Sequence, residues 1–510
     1  MIMHSINRIG DEYRPPGTTV SIELEERNFD AQTTEFHTVI VGSGNTVRKR
    51  TVVREDLKAD TEDFPYINFN WEVDGEFNFQ HFNSSSFEVE EVCVHRIGEQ
   101  GIEKITLEKD VDYEVQYAAL ARAYEGVIVT TLRIPEGSKI KKTDTIFDLK
   151  FNLEIDDEDI EIQMVNSGDK LFLRDIFGDL ELEEDGEEFF NEVGMAAEIA
   201  FKTGVQRFFY VEVPRDYGKP PTEKDFRKVL ELIYHQRHAY RIVPLTDDPN
   251  VSHAVATLTA TISNPYDRRE SVAFISVDGN TIKDHSDLNE LVEKVGGLSE
   301  GINSERVVNV YAGMSVELPV GAKRYILPHY FMGAAVAFAD SVLGMAKPLS
   351  KRSIDVFSRV NAPKFRPQQW NQLAKRGVFI VFQERTGGPL IIRHQLTTKR
   401  GTTSREELVE YSITKNFDAT VQLVRDRLAP YVGRENIGEG YFEKVDSAFT
   451  SAKEDAKELG YVRDITPITG WEIRRVSNGL NEREVKTNIV GTHRLTPMYP
   501  GNNIDVVFIV

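Results

Sequence analysis

The sequence is poor in cysteine, in basic charge and in long apolar runs. Its 510 residues include one cysteine, which excludes an intramolecular disulfide framework and favours folding in a reducing compartment. The 61 Lys and Arg residues against 82 Asp and Glu give a net charge of −21, which argues against nucleic acid and anionic membranes as partners. No run approaches the roughly 18 apolar residues of a transmembrane helix. Residues 1–14 lack signal-peptide features, so we expect synthesis and folding in the cytoplasm.

Catalytic and cofactor motifs are also missing. Gly42-Ser43-Gly44 follows a predicted strand, but no third glycine completes a dinucleotide loop, and the chain has no Gly-x-x-x-x-Gly-Lys-Ser/Thr phosphate loop. His235 and His238 lie three apart on a predicted helix, yet no third metal ligand has matching spacing. After Gly313-Met314-Ser315, a glutamate and a leucine stand where a nucleophile elbow needs a small residue. We therefore predict no catalytic residue, no cofactor and no metal.

Two regions of different pattern precede residue 363. From about residue 32 to 165, short alternating strands such as Phe36–Val41 and Val127–Ile134 predict a β-rich region. From about residue 170 to 360, strands alternate with helices, which predicts a mostly parallel sheet covered on both faces. The expected strands there include Phe208–Val213 and Ala239–Pro244, and the expected helices are Phe189–Phe201, Lys224–His238 and Met332–Leu343.

A hairpin and two helices, which we call the hub unit, follow between residues 377 and 460. The run Val378–Phe382 predicts a strand buried on both faces, and Leu390–Leu396 returns beside it. Thr403 and Glu406 form a candidate capping box for the first helix. Each helix is predicted to be amphipathic. The two apolar stripes are Val409, Ile413, Phe417, Val421, Val424 and Leu428, then Phe442, Val445, Phe449, Ala452, Ala456 and Leu459, with Gly460 as a left-handed cap.

Both ends of the sequence carry alternating apolar residues that predict strands in need of a sheet edge. These residues are Val20, Ile22 and Leu24 near the start, and Ile504, Val506, Phe508 and Val510 at the end. If such a strand added to the sheet edge of a neighbouring subunit, its main-chain N–H and C=O groups would form hydrogen bonds with that edge strand. A head-to-tail contact of this kind builds helical filaments when it does not close into a ring. An edge strand within its own domain is the alternative for the N-terminal segment.

The order of several segments resembles the sheath protein of contractile bacteriophage tails. The resemblance is carried by Leu171–Gly178, Tyr240–Asp248, Pro328–Ala339, Gly377–Phe382 and Gly460-Tyr461-Val462. It covers most of the chain from residue 171 onward, together with Pro16-Gly17. One departure is that Thr18-Thr19 follows that Pro-Gly pair, where members of the family often have an aromatic residue two positions on.

The resemblance implies a multidomain α+β and α/β fold. A C-terminal α+β hub domain would be completed by the N-terminal arm, with an inserted β-rich domain and an inserted α/β domain of subtilisin-like topology. The implied ranges are an arm at 1–31, a β-rich domain at 32–168, an α/β domain at 169–362, a hub domain at 363–502 and an exchange strand at 503–510.

The resemblance also implies a structural role without catalysis. Sheath subunits of this family stack as hexameric rings around a tail tube and contract by rigid-body rotation, which drives the tube through the bacterial envelope for genome delivery. The expected partners are further copies of the chain, the tail tube, and baseplate and tail terminator proteins, and the expected location is the virion. A hub helix bearing Lys444, Lys453 and Lys457 is the candidate tube-facing element. A sheath of a contractile bacteriocin or of an extracellular injection machine is the alternative, and an α/β hydrolase or nucleotide enzyme is a remote one.

Overall fold

The structure of the protein is a computed structural model, which describes most of the chain between residues 36 and 500. The described residues are 36–44, 49–58, 71–72, 76–82, 86–98, 101–112, 114–119, 127–133, 139, 146–154, 160–184, 187–216, 218–236, 239–264, 269–276, 288–383, 385, 388–400, 409–432, 437, 439–477 and 484–500. The predicted terminal strands (Val20, Ile22, Leu24, Ile504, Val506, Phe508 and Val510) and the candidate capping residues Thr403 and Glu406 lie outside them.

The elements are numbered in chain order. The strands are β1 (His37–Gly42), β2 (Lys49–Lys58), β3 (Trp71–Glu72), β4 (Glu76–Phe82), β5 (Ser86–Gly98), β6 (Gly101–Leu107), β7 (Glu114–Ala119), β8 (Val127–Arg133), β9 (Ile146–Glu154), β10 (Gln163–Asn166), β11 (Glu181–Glu184), β12 (Glu187–Phe190), β13 (Arg207–Glu212), β14 (Ala239–Pro244), β15 (Val272–Ser276), β16 (Val307–Tyr311), β17 (Ser315–Val320), β18 (Lys323–Pro328), β19 (Arg359–Asn361), β20 (Val378–Gln383), β21 (Leu390–His394), β22 (Val462–Pro467), β23 (Glu472–Ser477), β24 (Glu484–Val490) and β25 (His493–Pro497). The α-helices are α1 (Leu173–Phe177), α2 (Glu192–Thr203), α3 (Glu223–His235), α4 (Pro249–Ile262), α5 (Leu288–Ile302), α6 (Phe331–Leu343), α7 (Pro367–Lys375), α8 (Tyr411–Leu428) and α9 (Glu439–Glu458).

An eight-stranded sheet forms the centre of the molecule, in the order β10-β13-β1-β14-β15-β16-β20-β21. Its six middle strands run parallel, and the two outer strands pair antiparallel. The mostly parallel sheet predicted from the alternating pattern is therefore confirmed. The hairpin β20–β21 of the predicted hub unit is one edge of this same sheet, because Val378 pairs with Asn309 of β16. One sheet thus runs through both regions.

Strand β1 lies at the middle of this sheet, not in the β-rich region to which its sequence pattern assigned it. Val39 pairs with Phe209 of β13 on one side and with Ile242 of β14 on the other. Val39, Ile40 and Val41 are fully buried, as expected for a strand covered on both faces. The sequence pattern showed a strand here, but parallel partners about 170 and 200 residues away leave no local signal.

Helices cover both faces of the sheet, and alternate residues of each strand enter different cores. On one face α2 and α6 pack together, and Phe274 and Val310 point into their core. On the other face α3 and α4 cover Ile275 and Ile242. The predicted helix Phe189–Phe201 begins later, at Glu192, because the side chain of Asn191 accepts a hydrogen bond from Gly194 N at 2.9 Å and caps α2.

The β-rich region consists of two four-stranded antiparallel sheets, ordered β2-β9-β5-β6 and β3-β4-β8-β7. The long strand β5 pairs with β6 along one side and with β9 along the other. Neither sheet shares a strand with the central sheet. In chain order, its strands lie between β1 and β10 of the central sheet.

The C-terminal elements surround a smaller core. Val424 and Leu428 of α8, Phe449 and Ala452 of α9, and Val462 of β22 pack there with their neighbours. The predicted cap is present at Gly460, which has a φ of +76°. The described helices include none with the length and hydropathy needed to cross a membrane.

Candidate functional site

The residues that offered the nearest match to catalytic or metal motifs belong to structural elements. Ser315 is the first residue of β17 and pairs with Pro328 of β18 and with Asn361 of β19. His235 ends α3 and is exposed, with its ring edge-on to that of Tyr234, and His238 lies outside the described residues. Within the described part of the chain, no three His, Cys, Asp or Glu side chains are arranged to hold a metal ion.

The turn before Ser315 depends on a glycine. Gly313 has a φ of +147°, and a Cβ there would lie 2.5 Å from the carbonyl oxygen of Asn361. We expect Gly313→Ala to lower the free energy of unfolding by about 1–3 kcal/mol, since both strain and a clash with main chain result. Chemical denaturation measures the loss. Gly297→Ala, where a Cβ meets nothing within 4 Å, is the control, and equal stability of the two variants would contradict the prediction.

The three lysines proposed to face a tube lie on α9, but they differ in environment. Lys457 Nζ is 2.9 Å from Asp464 Oδ1, and Lys453 Nζ is 3.6 Å from the same atom. The hydrogen bond from Lys457 is the main reason why the pKa of Asp464 lies below its ordinary value. Lys444 is exposed and lies about two and a half helical turns before Lys453. The exposed positions of α9 also include Glu443, Asp446, Glu454 and Glu458.

The most unusual feature of the molecule is α8, which is buried almost all round. The sequence predicted an amphipathic helix, and this prediction is wrong: from Tyr411 to Gln422 every side chain is buried, polar ones included. Lys415, Asp418 and Arg425 recur at spacings of three and seven and so share a face of the helix. In an amphipathic helix such a face would meet water. Here it meets opposite charges on α6 and on the residues just before β15 and β16.

Asp340 of α6 is the centre of the first set of these contacts. It accepts hydrogen bonds from Lys415 Nζ at 2.6 Å, from Arg241 Nε at 2.6 Å and from the hydroxyl of Tyr411 at 2.7 Å. The ammonium of Lys415 also donates to the carbonyl oxygens of Gly344 at 3.1 Å and Lys347 at 2.7 Å. All three protons of the buried ammonium therefore have acceptors, which a buried charge requires.

Two further ion pairs bind the rest of α8. The carboxylate of Asp418 accepts from Arg306 Nη1 at 2.6 Å and from the hydroxyl of Tyr240 at 2.9 Å. About two turns further along the helix, the guanidinium of Arg425 donates to both carboxylate oxygens of Glu270 at 3.2–3.3 Å. The four charged side chains of these two ion pairs are each at most 4% exposed to solvent.

A β-bulge allows two consecutive residues of β14 to take part. The pairing of β1 with β14 passes from His37–Ala239 to Thr38–Arg241, which leaves Tyr240 as the extra residue. In a regular strand, neighbouring side chains point to opposite faces, and a bulge removes that alternation. Tyr240 consequently reaches Asp418 while Arg241 reaches Asp340.

Electrostatics explain the protonation states in this network. Burial by itself raises the pKa of Asp340, but the charges of Lys415 and Arg241 outweigh burial and hold that pKa below its ordinary value. Ionised Asp340 therefore stabilises the fold above its unfolded-state pKa, and this contribution is lost as the pH falls through the lower folded-state pKa. Burial lowers the pKa of Lys415, against the attraction of Asp340.

Helix α8 joins two cores through this network. Its first half, with Tyr411 and Ala419, belongs to the core between the sheet and α6, whereas Val424 and Leu428 belong to the small C-terminal core. Sequence reasoning missed Asp340, Arg241, Arg306 and Glu270. The available signal was an aspartate inside the small-residue helix Met332–Leu343, since a charge among buried residues requires a partner.

No protein-family model matches the sequence, and no curated protein matches it. Solved structures do match. A chain of the anti-feeding prophage (AFP) baseplate, symmetrised six-fold, is 14% identical with a TM-score of 0.50, covering 68% of this chain and 87% of that one. A chain of the AFP helical sheath in its contracted state is 14% identical with a TM-score of 0.49, covering 69% and 88%. The sheath tail protein of Desulfitobacterium hafniense is 10% identical with a TM-score of 0.42, covering 92% and 99%.

These identities are low, so the likeness is one of fold. The chain shares its fold with the AFP baseplate chain over about two thirds of its length, and sheath proteins are among the other matches.

Proposed function

We propose that the protein is a structural subunit of a contractile sheath. It would polymerise as stacked hexameric rings around a tube and contract by rigid-body rotation of its subunits. The observation that carries this proposal is α8, which belongs to the central core and to the small C-terminal core and is held by buried ion pairs. The fold shared with a chain of a six-fold baseplate also supports it.

The ion pairs bear directly on rigid-body movement. If α8 rotated against the central sheet and α6, Lys415 would separate from Asp340, Asp418 from Arg306 and Arg425 from Glu270. Breaking one buried pair by removing a partner costs about 3–5 kcal/mol, because a charge is left in the interior without compensation. A subunit built in this way transmits force as a single body, and movement is left to the contacts between subunits.

Two settings suit such a subunit. In a bacteriophage tail, contraction drives the tube through the bacterial envelope and delivers the genome, which would place the protein in the virion. In a contractile bacteriocin or an extracellular injection machine, a similar sheath drives a tube without a genome, and the similarity to AFP chains favours this setting. Particles isolated from the producing cells distinguish the two, because only a phage particle carries a DNA-filled capsid. An α/β hydrolase would need a convergent set of titratable groups around Ser315, which β17 does not supply.

The partners follow from the assembly: further copies of the chain, a tube protein, and baseplate and terminator proteins at the two ends. We propose α9 as the tube-facing helix, with Lys444, Lys453 and Lys457 on it. Its exposed side chains have both signs, and Lys453 and Lys457 are engaged by Asp464. A tube surface that meets α9 would therefore present charges of both signs.

The terminal strands are the proposed links between subunits. In the described residues, the β22–β25 sheet consists of two strands, so each offers an outer edge to which an extended segment can add by main-chain hydrogen bonds. Burying Ile504, Val506, Phe508 and Val510 contributes about 1.5–3 kcal/mol each, and ordering the segment costs about 1–2 kcal/mol per residue. The net free energy of a single strand addition is thus close to zero. The addition becomes favourable in a lattice that holds the strand at high effective concentration.

Deleting residues 503–510 is expected to leave a folded, largely monomeric protein that forms no tubes, and deleting residues 1–26 should do the same. Negative-stain electron microscopy of the purified chain, together with size-exclusion chromatography and circular dichroism, measures both properties. Asp505→Asn retains the four apolar residues and is the matched control, expected to form tubes. Normal tubes from either truncation would contradict strand exchange, whereas unfolding of both would assign the strands to the subunit's own core.

A further inference from the structure

The strand order of the central sheet contains a topological switch point beside β1. From β1 the chain passes to β13 on one side of it, and the next parallel strand, β14, pairs on the other side. In open α/β sheets, the crevice outside the carboxyl ends of the two strands at such a point is where ligands bind. The loops that border it here are Ser43-Gly44, after β1, and Leu245–Asp248, after β14.

A side chain of the protein itself occupies this position. Glu192, the first residue of α2, accepts a hydrogen bond from the backbone N–H of Ser43 at 2.8 Å on Oε2 and one from the hydroxyl of Tyr330 on Oε1. The backbone N–H of Val193 returns a bond to the carbonyl oxygen of Ser43 at 3.1 Å. One carboxylate thus connects the end of β1, the start of α2 and the residue that precedes α6.

The environment of this carboxyl group supplies hydrogen-bond donors but no counter-ion. No Lys, Arg or His of the described residues forms an ion pair with Glu192, and the nearby charge that acts on it is the like charge of Asp247. Burial raises the pKa of Glu192 to about 7, against the hydrogen bonds from Tyr330 and Ser43. The start of α2 adds the positive end of the helix dipole. The carboxylate is therefore held by N–H and O–H donors alone.

We infer that the ligand position at the switch point of this sheet is a carboxylate site which the chain fills with Glu192, so that the crevice serves as an internal latch between β1, α2 and α6. Removing the side chain beyond Cβ takes away one CH₂ and one carboxylate, which are the heavy atoms of acetate. The emptied position should accordingly bind acetate or another small monocarboxylate.

Glu192→Ala is the direct test. We expect its Tm to be lower than that of the wild type at pH 5, where the carboxyl group of Glu192 is protonated in the folded state and stabilises the fold most. The Tm of the variant should rise by at least about 2 °C when acetate is added at this pH, where part of the ligand is protonated as well. The rise should grow with the logarithm of the acetate concentration once acetate exceeds its Kd. The wild type and Glu192→Gln, in which the position is filled, should show no such rise. Acetamide and sodium chloride at matched concentration serve as controls for ligand charge and ionic strength.

A second measurement keeps the inference testable if Glu192→Ala does not fold. A carboxylate whose pKa is raised on folding makes the folded state favour the proton, so stability falls as the pH rises from about 4.5 to 7. The Tm of the wild type minus that of Glu192→Gln should fall over this range and become constant above it. Tyr330→Phe removes one donor to the carboxylate and should move the midpoint to higher pH. A flat difference, or an acetate effect equal in all variants, would overturn the latch.

Discussion

Asp340→Ala is expected to lower the free energy of unfolding by about 3–5 kcal/mol. The substitution leaves the ammonium of Lys415 and the guanidinium of Arg241 together in the interior without a counter-charge, and the hydroxyl of Tyr411 loses its acceptor. Chemical denaturation gives the loss. Hydrogen exchange should show weaker protection in both halves of α8, because the helix is anchored to the sheet through these contacts.

Two comparisons make this expectation specific. Arg227→Ala removes an exposed ion pair with Glu223 and should change stability by no more than about 0.5 kcal/mol. The double variant Asp340→Asn with Lys415→Met removes both charges, so its loss should be smaller than the sum of the two single losses. If Asp340→Ala behaved like Arg227→Ala, the network would not be what holds α8 in place.

Phe449→Ala should cost about 3–5 kcal/mol, but its effect should be confined to the small C-terminal core. The ring of Phe449 packs 4.1 Å from that of His493 and 5.6 Å from that of Trp471, measured between centroids. Its removal leaves a cavity between α9 and the strands that follow it. Hydrogen exchange should therefore show lost protection in α9 and β22, while β14 and β15 keep theirs.

The neighbouring residue provides the control for this experiment. Thr450 lies on the exposed side of the same helix, and Thr450→Ala should stay within about 0.5 kcal/mol of the wild type. Equal loss of protection in the central sheet and in α9 would contradict the division into two cores that α8 connects. Together with Asp340→Ala, the experiment distinguishes the contribution of the buried contacts that hold α8 to the central sheet from that of the small C-terminal core.

Local pattern predicted many elements correctly where the pattern reflects burial. The run Val378–Phe382 is a strand buried on both faces, with Phe379 and Ile380 in different cores. Gly460 ends its helix in the left-handed conformation, and Ala239–Pro244 is a strand with the predicted bounds. Such patterns are visible in the sequence because every second residue of a strand, or every third to fourth residue of a helix, faces the same side and is apolar when that side is buried.

The same reasoning was wrong for α8 and for the placement of β1, and both errors have one cause. Whether a charged helix face meets water or an opposite charge depends on residues that lie far away in the chain. Lys415 and Asp340 are 75 residues apart, and Tyr240 and Asp418 are 178 apart. The periodicity of a sequence shows that one face of a helix is polar, but it does not show whether that face contacts water or a charged side chain from a distant segment.

The sequence by itself therefore determined the positions of strands such as β14 and β20, of helices such as α2 and α9, and the resemblance to a sheath protein. The tertiary structure alone decided that the hub hairpin extends the central sheet, that α8 is buried with its charges paired, and that Glu192 fills the crevice beside β1. These features arise from contacts between distant segments. Their free energy comes from desolvating groups that only the fold brings together, so it leaves no periodic trace along the chain.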